Sequence, residues 1–308
     1  MTKIRLLLIG CCLMLLCACG RTTVSIVTPP DASKRMMFGA EQLKNSLEKA
    51  GYQVISLQTK DAVQPDDKVI ILTQLCDSTL RNEGFYITTE GNQTTVCGHD
   101  GSGVIYGCRE LIEHINEKKN LDFPESLIDA PEMVLRGACV GLQKTTYLPG
   151  HGVYEYPYTP ENFPWFYDKQ QWIKYLDMLV ENRMNSLYLW NGHPFASLVK
   201  LKDYPFALEV DEETFKKNEE MFSFLTEEAD KRGIFVIQMF YNILLSKPFA
   251  DHYGLKTQDR NRPITPLISD YTRKSVAAFI EKYPNVGLLV CLGEAMDTYE
   301  DDVKWFTE

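Results

Sequence analysis

Gly287-Leu288-Leu289-Val290-Cys291-Leu292-Gly293-Glu294 is the stretch that decides the fold of this chain. Its apolar run ends abruptly at Gly293 and the carboxylate of Glu294, which predicts a fully buried parallel strand. In a βα barrel, the carboxyl end of such a strand is where functional groups lie. An acid after a strand is also a common helix start, because the helix dipole favours it there. Both interpretations of Glu294 stay open at this point.

Strands and helices alternate through the second half of the chain. Apolar runs predict four strands, and helical spacing of apolar residues predicts a helix after each of them. The predicted strands are 134–140, 185–190, 234–241 and 287–292, and the helices are 168–183, 213–232, 270–283 and 299–308. This alternation predicts parallel pairing through right-handed crossovers.

Four βα units fit either part of a TIM barrel or an open doubly wound sheet. No Gly-x-Gly-x-x-Gly follows the first strand, so the dinucleotide fingerprint is missing, and long aromatic-rich loops follow strands one to three. Both features favour the barrel. A complete barrel needs eight strands, so we expect this chain to be a fragment or a truncated gene product.

The first half has a different pattern, with the predicted order β-α-β-β-β-β-α and a hairpin signal at Glu90-Gly91-Asn92. Prolines punctuate the segment that follows it. We therefore predict an α/β chain: a small α+β domain at 20–121, a linker at 122–133, and an incomplete (β/α)₈ TIM-type barrel at 134–308.

Residues 1–19 have the features of an export signal. Lys3 and Arg5 precede an apolar run that is too short for a comfortable membrane span. Leu16-Cys17-Ala18-Cys19 then resembles the bacterial lipoprotein processing site, which makes Cys19 the predicted lipidated residue. The alternative is an ordinary signal peptide rich in cysteine. The lipid interpretation predicts a protein anchored to the membrane of the bacterial envelope, facing the periplasm or the outer surface.

Composition excludes some classes of partner. The formal net charge is −10 with a pI near 5.1, which argues against nucleic acid because phosphate binding needs clustered basic residues. The cysteines after the signal are scattered and odd in number, so we predict neither a disulfide framework nor a C-x-x-C metal pair. His252 lies near Asp251 and Asp259 without a metal-ligand pattern. We expect no metal and no cofactor.

Polar and aromatic residues follow the predicted strands where each one ends. Because strand ends in a barrel converge on one pocket, we expect these side chains to meet without a linear motif. Flat rings suit sugar faces, amide and imidazole groups suit hydroxyls, and a carboxyl of raised pKa suits a glycosidic oxygen. The predicted catalytic acid is Glu294, and the predicted substrate-binding residues are Arg136, Trp190, Asn191, His193, Tyr241 and Asn242.

Several of these residues also have a purely structural interpretation. Trp190 could pack between barrel and helices, and His193 could be a satisfied loop histidine. The Tyr154–Tyr158 loop could be a solvent-facing cover. Arg136 lies inside the first strand and would point either into the barrel or out towards its helices.

Glu83-Gly84-Phe85-Tyr86-Ile87, a hairpin and Gly101-Ser102-Gly103-Val104-Ile105-Tyr106-Gly107 together resemble the small domain of bacterial β-hexosaminidases and α-glucuronidases. Leu135-Arg136-Gly137 is similar to the opening barrel strand of those enzymes. Glu181-Asn182-Arg183-Met184-Asn185-Ser186-Leu187 resembles their entry into strand two. The resemblance implies a two-domain glycoside hydrolase acting on poly- or oligosaccharides.

One departure from the pattern bears on mechanism. Hexosaminidases that use the substrate's acetamido group carry Asp-Glu at the end of strand four, and here the pair is Gly293-Glu294. The resemblance therefore implies an α-glucuronidase-like enzyme with Glu294 as general acid. One carboxylate cannot supply both acid and base, so we expect the chain alone to be inactive. The alternative is a glycan-binding or degenerate protein that has the fold without hydrolysis.

Overall fold

The computed structural model describes residues 22–74, 79–142, 157–241, 244–259, 261–283, 285–291 and 298–307. The chain divides into two compact units, Met1–Glu132 and Met133–Glu308. Three of the predicted functional residues, Cys19, Asn242 and Glu294, lie outside the described residues.

The first unit contains a mixed six-stranded sheet in the order β2-β1-β3-β5-β4-β6. Strand β4 is antiparallel to both of its neighbours, and the other pairs are parallel. Its elements are β1 (Thr23–Val27), α1 (Lys34–Lys49), β2 (Gln53–Leu57), β3 (Lys68–Gln74), β4 (Phe85–Glu90), β5 (Gln93–Gly98), α2 (Gly101–Lys118) and β6 (Ser126–Asp129). The predicted α+β order is confirmed as far as α2.

The loop before α2 explains the glycine-rich motif at 101–107. Asp100 caps α2 by accepting a hydrogen bond from the N–H of Gly103 at 2.9 Å, and its second oxygen accepts one from the N–H of Glu83 at 2.9 Å. Glu83 has a φ of 62°, so this bond supports a left-handed residue. A Cβ at Gly103 would overlap the carbonyl oxygen of Gly84, so this close approach requires glycine.

Two expectations for the first unit need correction. The predicted linker at 122–133 contains β6, whose residues pair with β4 from Phe85 to Thr88; the strand is four residues long and flanked by prolines, so its sequence resembles a connection. Cys97 is buried in β5, as expected, but it is disulfide-bonded. The compartment predicted from residues 1–19 permits that chemistry.

The second unit contains a parallel sheet in the order β10-β9-β8-β7. Within the described residues its elements are β7 (Gly137–Gly141), α3 (Lys169–Glu181), β8 (Ser186–Trp190), α4 (Phe195–Leu198), α5 (Glu212–Lys231), β9 (Phe235–Tyr241), α6 (Lys247–Tyr253), α7 (Pro266–Lys282), β10 (Val286–Cys291) and α8 (Tyr299–Thr307). Spatial neighbours are also neighbours in sequence, as in a βα barrel, whereas a doubly wound sheet reverses its order at a switch point. The predicted α/β class is confirmed.

Side chains of this sheet alternate between two different environments. Leu187, Leu189 and Val236 are fully buried against the helices. On the opposite face Tyr188 is half-buried and Leu289 is 44% exposed, whereas Met239 is 1% exposed. The strand register keeps each set on one face, because the side-chain period of a strand is two.

A buried polar network supports the helix layer around α5. The Asn218 side chain is fully buried, and its Nδ2 donates hydrogen bonds to the carbonyl oxygens of Tyr158 at 2.9 Å and Ser197 at 3.0 Å. Its Oδ1 accepts a hydrogen bond from the Tyr167 hydroxyl at 2.5 Å. The Tyr158 hydroxyl in turn donates to Oε1 of Gln238 in β9 at 3.2 Å. These bonds join α5, α4 and β9 to the segment that precedes α3.

Candidate functional site

The carboxyl ends of the four strands lie side by side. Gly141 of β7 pairs with Trp190 of β8, and Tyr241 of β9 pairs with Cys291 of β10. Trp190 and Tyr241 each end a strand, and their rings lie 6.2 Å apart at an interplanar angle of 70°. The structure therefore brings together two of the residues predicted to bind substrate.

Trp190 and Tyr241 are both half-buried on the open face of the sheet. An edge-to-face aromatic pair with one open side offers an apolar surface beside a polar tip, the phenol hydroxyl or the indole N–H. We name this pair the Trp190–Tyr241 platform. Its position at the carboxyl ends of parallel strands is where ligands bind in α/β folds.

Asn191 does not face a ligand. It is 1% exposed, its Nδ2 donates to the carbonyl oxygen of Leu142 at 3.1 Å, and its Oδ1 accepts from the N–H of His193 at 3.0 Å. The N–H of Tyr241 donates to the carbonyl oxygen of Gly192 at 2.8 Å. The predicted role of Asn191 as a hydroxyl partner is therefore corrected: it holds the loop after β8 against the ends of β7 and β9.

His193 is also buried, at 5% exposure, and its Nε2 is 2.9 Å from the hydroxyl of Tyr271 in α7. Burial, together with the smaller effect of the nearby Arg262 guanidinium, lowers the pKa of His193 to about 3. The imidazole is therefore neutral at physiological pH and has no access to a ligand. The structural interpretation, a satisfied loop histidine, is the one that fits.

Arg136 lies at the opposite end of the sheet. Its Nε donates to the carbonyl oxygen of Arg183 at 2.9 Å, and a terminal nitrogen donates to that of Met133 at 2.7 Å. Five residues of strand separate Arg136 from the level of Trp190, which is about 16 Å. Arg136 therefore stabilises the amino-terminal ends of β7 and β8, and its predicted role in substrate binding is corrected.

Two further features on the strand-end loops had no sequence signal. Burial raises the pKa of Glu209 to about 7, although its Oε1 accepts a hydrogen bond from the N–H of Lys247 at 2.5 Å. Phe206, His252 and Tyr253 form an aromatic cluster on the loops after β8 and β9. Glu209 lies in the segment between β8 and α5. Only that position, in a loop that follows a strand, could have indicated a functional role for Glu209 from the sequence.

The residues that the structure describes contain neither a metal-binding cluster nor a membrane-spanning helix. No group of three or more His, Cys, Asp or Glu side chains there is arranged to hold a metal ion. Among the same residues, every helix is too short or too polar to span a membrane.

The comparisons with known proteins concern both units. The family model for glycosyl hydrolase family 20, domain 2, matches residues 20–129. This match confirms the resemblance of the first unit to the small domain of hexosaminidases. No curated protein matches the chain in a sequence comparison.

Three solved structures show the range of similarity. A GH138 enzyme targeting pectin rhamnogalacturonan II is 71% identical, with a TM-score of 0.86 over 92% of this chain. A Flavobacterium johnsoniae chitobiase of family GH20 is 16% identical, with a TM-score of 0.58 over 92% of this chain and 43% of its own. The GH20 β-N-acetylhexosaminidase of Streptomyces coelicolor is 13% identical, with a TM-score of 0.54 over 93% of this chain and 58% of its own.

The match to the GH138 enzyme is by far the more specific, because similarities at 13–16% identity show the fold alone. This chain spans 40% of the length of the GH138 enzyme that it matches. The chain is therefore related to glycoside hydrolases in both sequence and fold.

Proposed function

We propose that this chain is a part of a glycoside hydrolase that acts on O-glycosidic bonds of a pectic polysaccharide. The observation that carries the proposal is the Trp190–Tyr241 platform at the strand ends of a chain that is 71% identical to an enzyme targeting pectin rhamnogalacturonan II. The platform supplies apolar contact for one face of a sugar ring, and polar groups around it select the ring's orientation.

The proposed general acid is Glu294. It lies three positions after Cys291, the last residue of β10. A carboxyl at the carboxyl end of a barrel strand can protonate the oxygen of the scissile bond if its pKa is raised. An α-glucuronidase-like acid mechanism, without help from a substrate acetamido group, remains our proposal for the subtype.

Anchoring to the bacterial envelope is also a proposal, and it is supported by the sequence of residues 1–19 alone. The basic start, the short apolar run and Cys19 in Leu-Cys-Ala-Cys support lipidation after export. A lipid-anchored enzyme would act on polysaccharide at the cell surface or in the periplasm. Mass spectrometry of the mature protein tests this directly: unmodified Cys19 would rule out the anchor.

Calorimetric titration of the chain with rhamnogalacturonan II tests the platform. We expect Trp190→Ala to weaken binding about fivefold, because one lost stacking contact is worth roughly 1 kcal/mol. The matched control is Trp305→Ala, which removes another half-buried tryptophan, one that faces the helix side of the sheet. Equal affinities for Trp190→Ala and the unsubstituted chain would refute the proposed binding site.

Incubation of a full-length version of the protein with the same polysaccharide separates hydrolysis from binding, because one carboxylate cannot supply both acid and base. Release of new reducing ends that disappears in Glu294→Gln supports the hydrolase. Binding without release supports the alternative function, a non-catalytic glycan-binding protein, for which the platform needs no carboxylate. Release that is unchanged in Glu294→Gln would rule out that residue as the acid.

A further inference from the structure

A second aromatic surface lies on the loops that follow β8 and β9. The rings of Phe206 and His252 are stacked, with centroids 4.1 Å apart and planes at 25°. Tyr253 meets His252 edge to face at 4.7 Å. His252 and Tyr253 are exposed, Tyr253 at 40%, whereas Phe206 is half-buried. We name these three residues the α6 aromatic cluster.

Helix α6, which carries two of the three rings, is held rigidly by its other side. Phe249 is fully buried and stacks on Tyr271 with centroids 3.9 Å apart. Ser246 caps the helix by accepting a hydrogen bond from the N–H of Phe249, and Gly254 ends it in the left-handed conformation. The core contact of α6 is therefore complete without His252 or Tyr253.

The α6 aromatic cluster and the loop that follows β8 are connected through packed rings. His193 follows Trp190 in the loop after β8, and its ring lies 5.9 Å from that of Tyr271. Phe249 packs on Tyr271, and Tyr253 lies 4.9 Å from Phe249. Both surfaces therefore lie at the carboxyl ends of the strands, and the buried rings that fix α6 also contact His193, three positions after Trp190.

We propose that the α6 aromatic cluster is an outer sugar-binding subsite, which takes a second ring of the oligosaccharide whose first ring lies on the Trp190–Tyr241 platform. This inference rests on the proposed function. Exposed aromatic rings on a rigid helix lose little conformational entropy when they bind, and their faces suit the C–H groups of a pyranose. The contact is apolar, so it would tolerate neutral and acidic sugars alike.

Ligand length is the variable that tests the subsite. Rhamnogalacturonan II can occupy both surfaces, whereas galacturonic acid, a single sugar, can occupy only one. We expect Tyr253→Ala to weaken polysaccharide binding about fivefold to tenfold and to leave binding of the single sugar unchanged. Trp190→Ala should weaken both. Calorimetry measures the polysaccharide, and ligand-observed NMR measures the single sugar.

Two further variants keep the test independent of folding. His252→Ala removes the second exposed ring and should weaken polysaccharide binding in the same direction. Phe306→Ala is the matched control, because it removes a ring that is 72% exposed and belongs to α8 rather than to α6. Circular dichroism and tryptophan emission verify that each variant is folded.

The outcomes distinguish the two proposals. The outer subsite would be overturned, and the proposed function left intact, by one pair of results. Tyr253→Ala and His252→Ala would both bind the polysaccharide with wild-type affinity, while Trp190→Ala would bind it more weakly. Equal losses for polysaccharide and single sugar in Tyr253→Ala would also overturn the subsite. No binding by the unsubstituted chain would overturn both.

Discussion

Asn218→Ala should destabilise the second unit by about 3–5 kcal/mol. The substitution removes hydrogen bonds to the Tyr158 and Ser197 carbonyls and from the Tyr167 hydroxyl, in a site with no solvent exposure. Each polar group that loses its partner in such a site costs roughly 1–3 kcal/mol. We expect less than the full sum, because neighbouring groups relax and a water molecule can enter the space.

Tryptophan emission during urea unfolding measures this cost. All four tryptophans lie in the second unit, so the signal is specific to it; they are Trp165, Trp172, Trp190 and Trp305. The control is Lys217→Ala, which removes the neighbouring exposed side chain and its ion pair with Glu213 and should change stability by less than about 0.5 kcal/mol. A decrease in the free energy of unfolding of less than about 1 kcal/mol for Asn218→Ala would refute the assigned contribution of these hydrogen bonds to stability.

Three further predictions concern backbone space, pH and thiol reactivity. Gly137→Ala should lower the free energy of unfolding by more than about 2 kcal/mol, because its Cβ would overlap β8. Gly141→Ala has open space around its Cβ and should leave the free energy of unfolding unchanged. Tryptophan emission during urea unfolding measures both. The pKa of His193 in the folded protein is about 3, below its ordinary 6.5, so the contribution of His193 to stability is lost as pH falls. The pKa of Glu209 in the folded protein is about 7, above its ordinary 4.5, so the contribution of Glu209 to stability is lost as pH rises. Urea titrations from about pH 5 to 6.5 give the slope of the unfolding free energy against pH. Glu209→Gln should make this slope more positive by about 1.4 kcal/mol per pH unit. His193→Gln should make it more negative by the same amount. Cys108 should resist iodoacetamide at pH 8 until the first unit unfolds, as read by mass mapping, because burial raises its pKa to about 12.

The regular elements could be predicted because their apolar pattern is local. Strands β8 and β9 are bounded by polar residues and buried on the helix side, so their ends fell within one residue of the predicted positions. Trp190 and Tyr241 follow from those ends, because each is the last residue of its strand and Tyr241 lies only two residues beyond Met239, the partner of Trp190.

The errors at the site arose from contacts that are distant in sequence. His193 is buried by Tyr271, which lies 78 positions further along the chain, and no local pattern predicts that contact. Arg136 is held by the carbonyl of Arg183, 47 positions away. Helix α6 has seven residues, two turns at most, which is too short to give a clear periodic signal.

Strand β6 has a consequence for the order in which the first unit is completed during synthesis. Until residues 126–129 leave the ribosome, β4 has one unpaired edge, because its only other neighbour is β5. The 31 positions between Gly98 and Asp129 take roughly 2 to 6 s to translate. During that interval the nascent chain presents the open edge of β4, from Phe85 to Thr88, to other nascent chains.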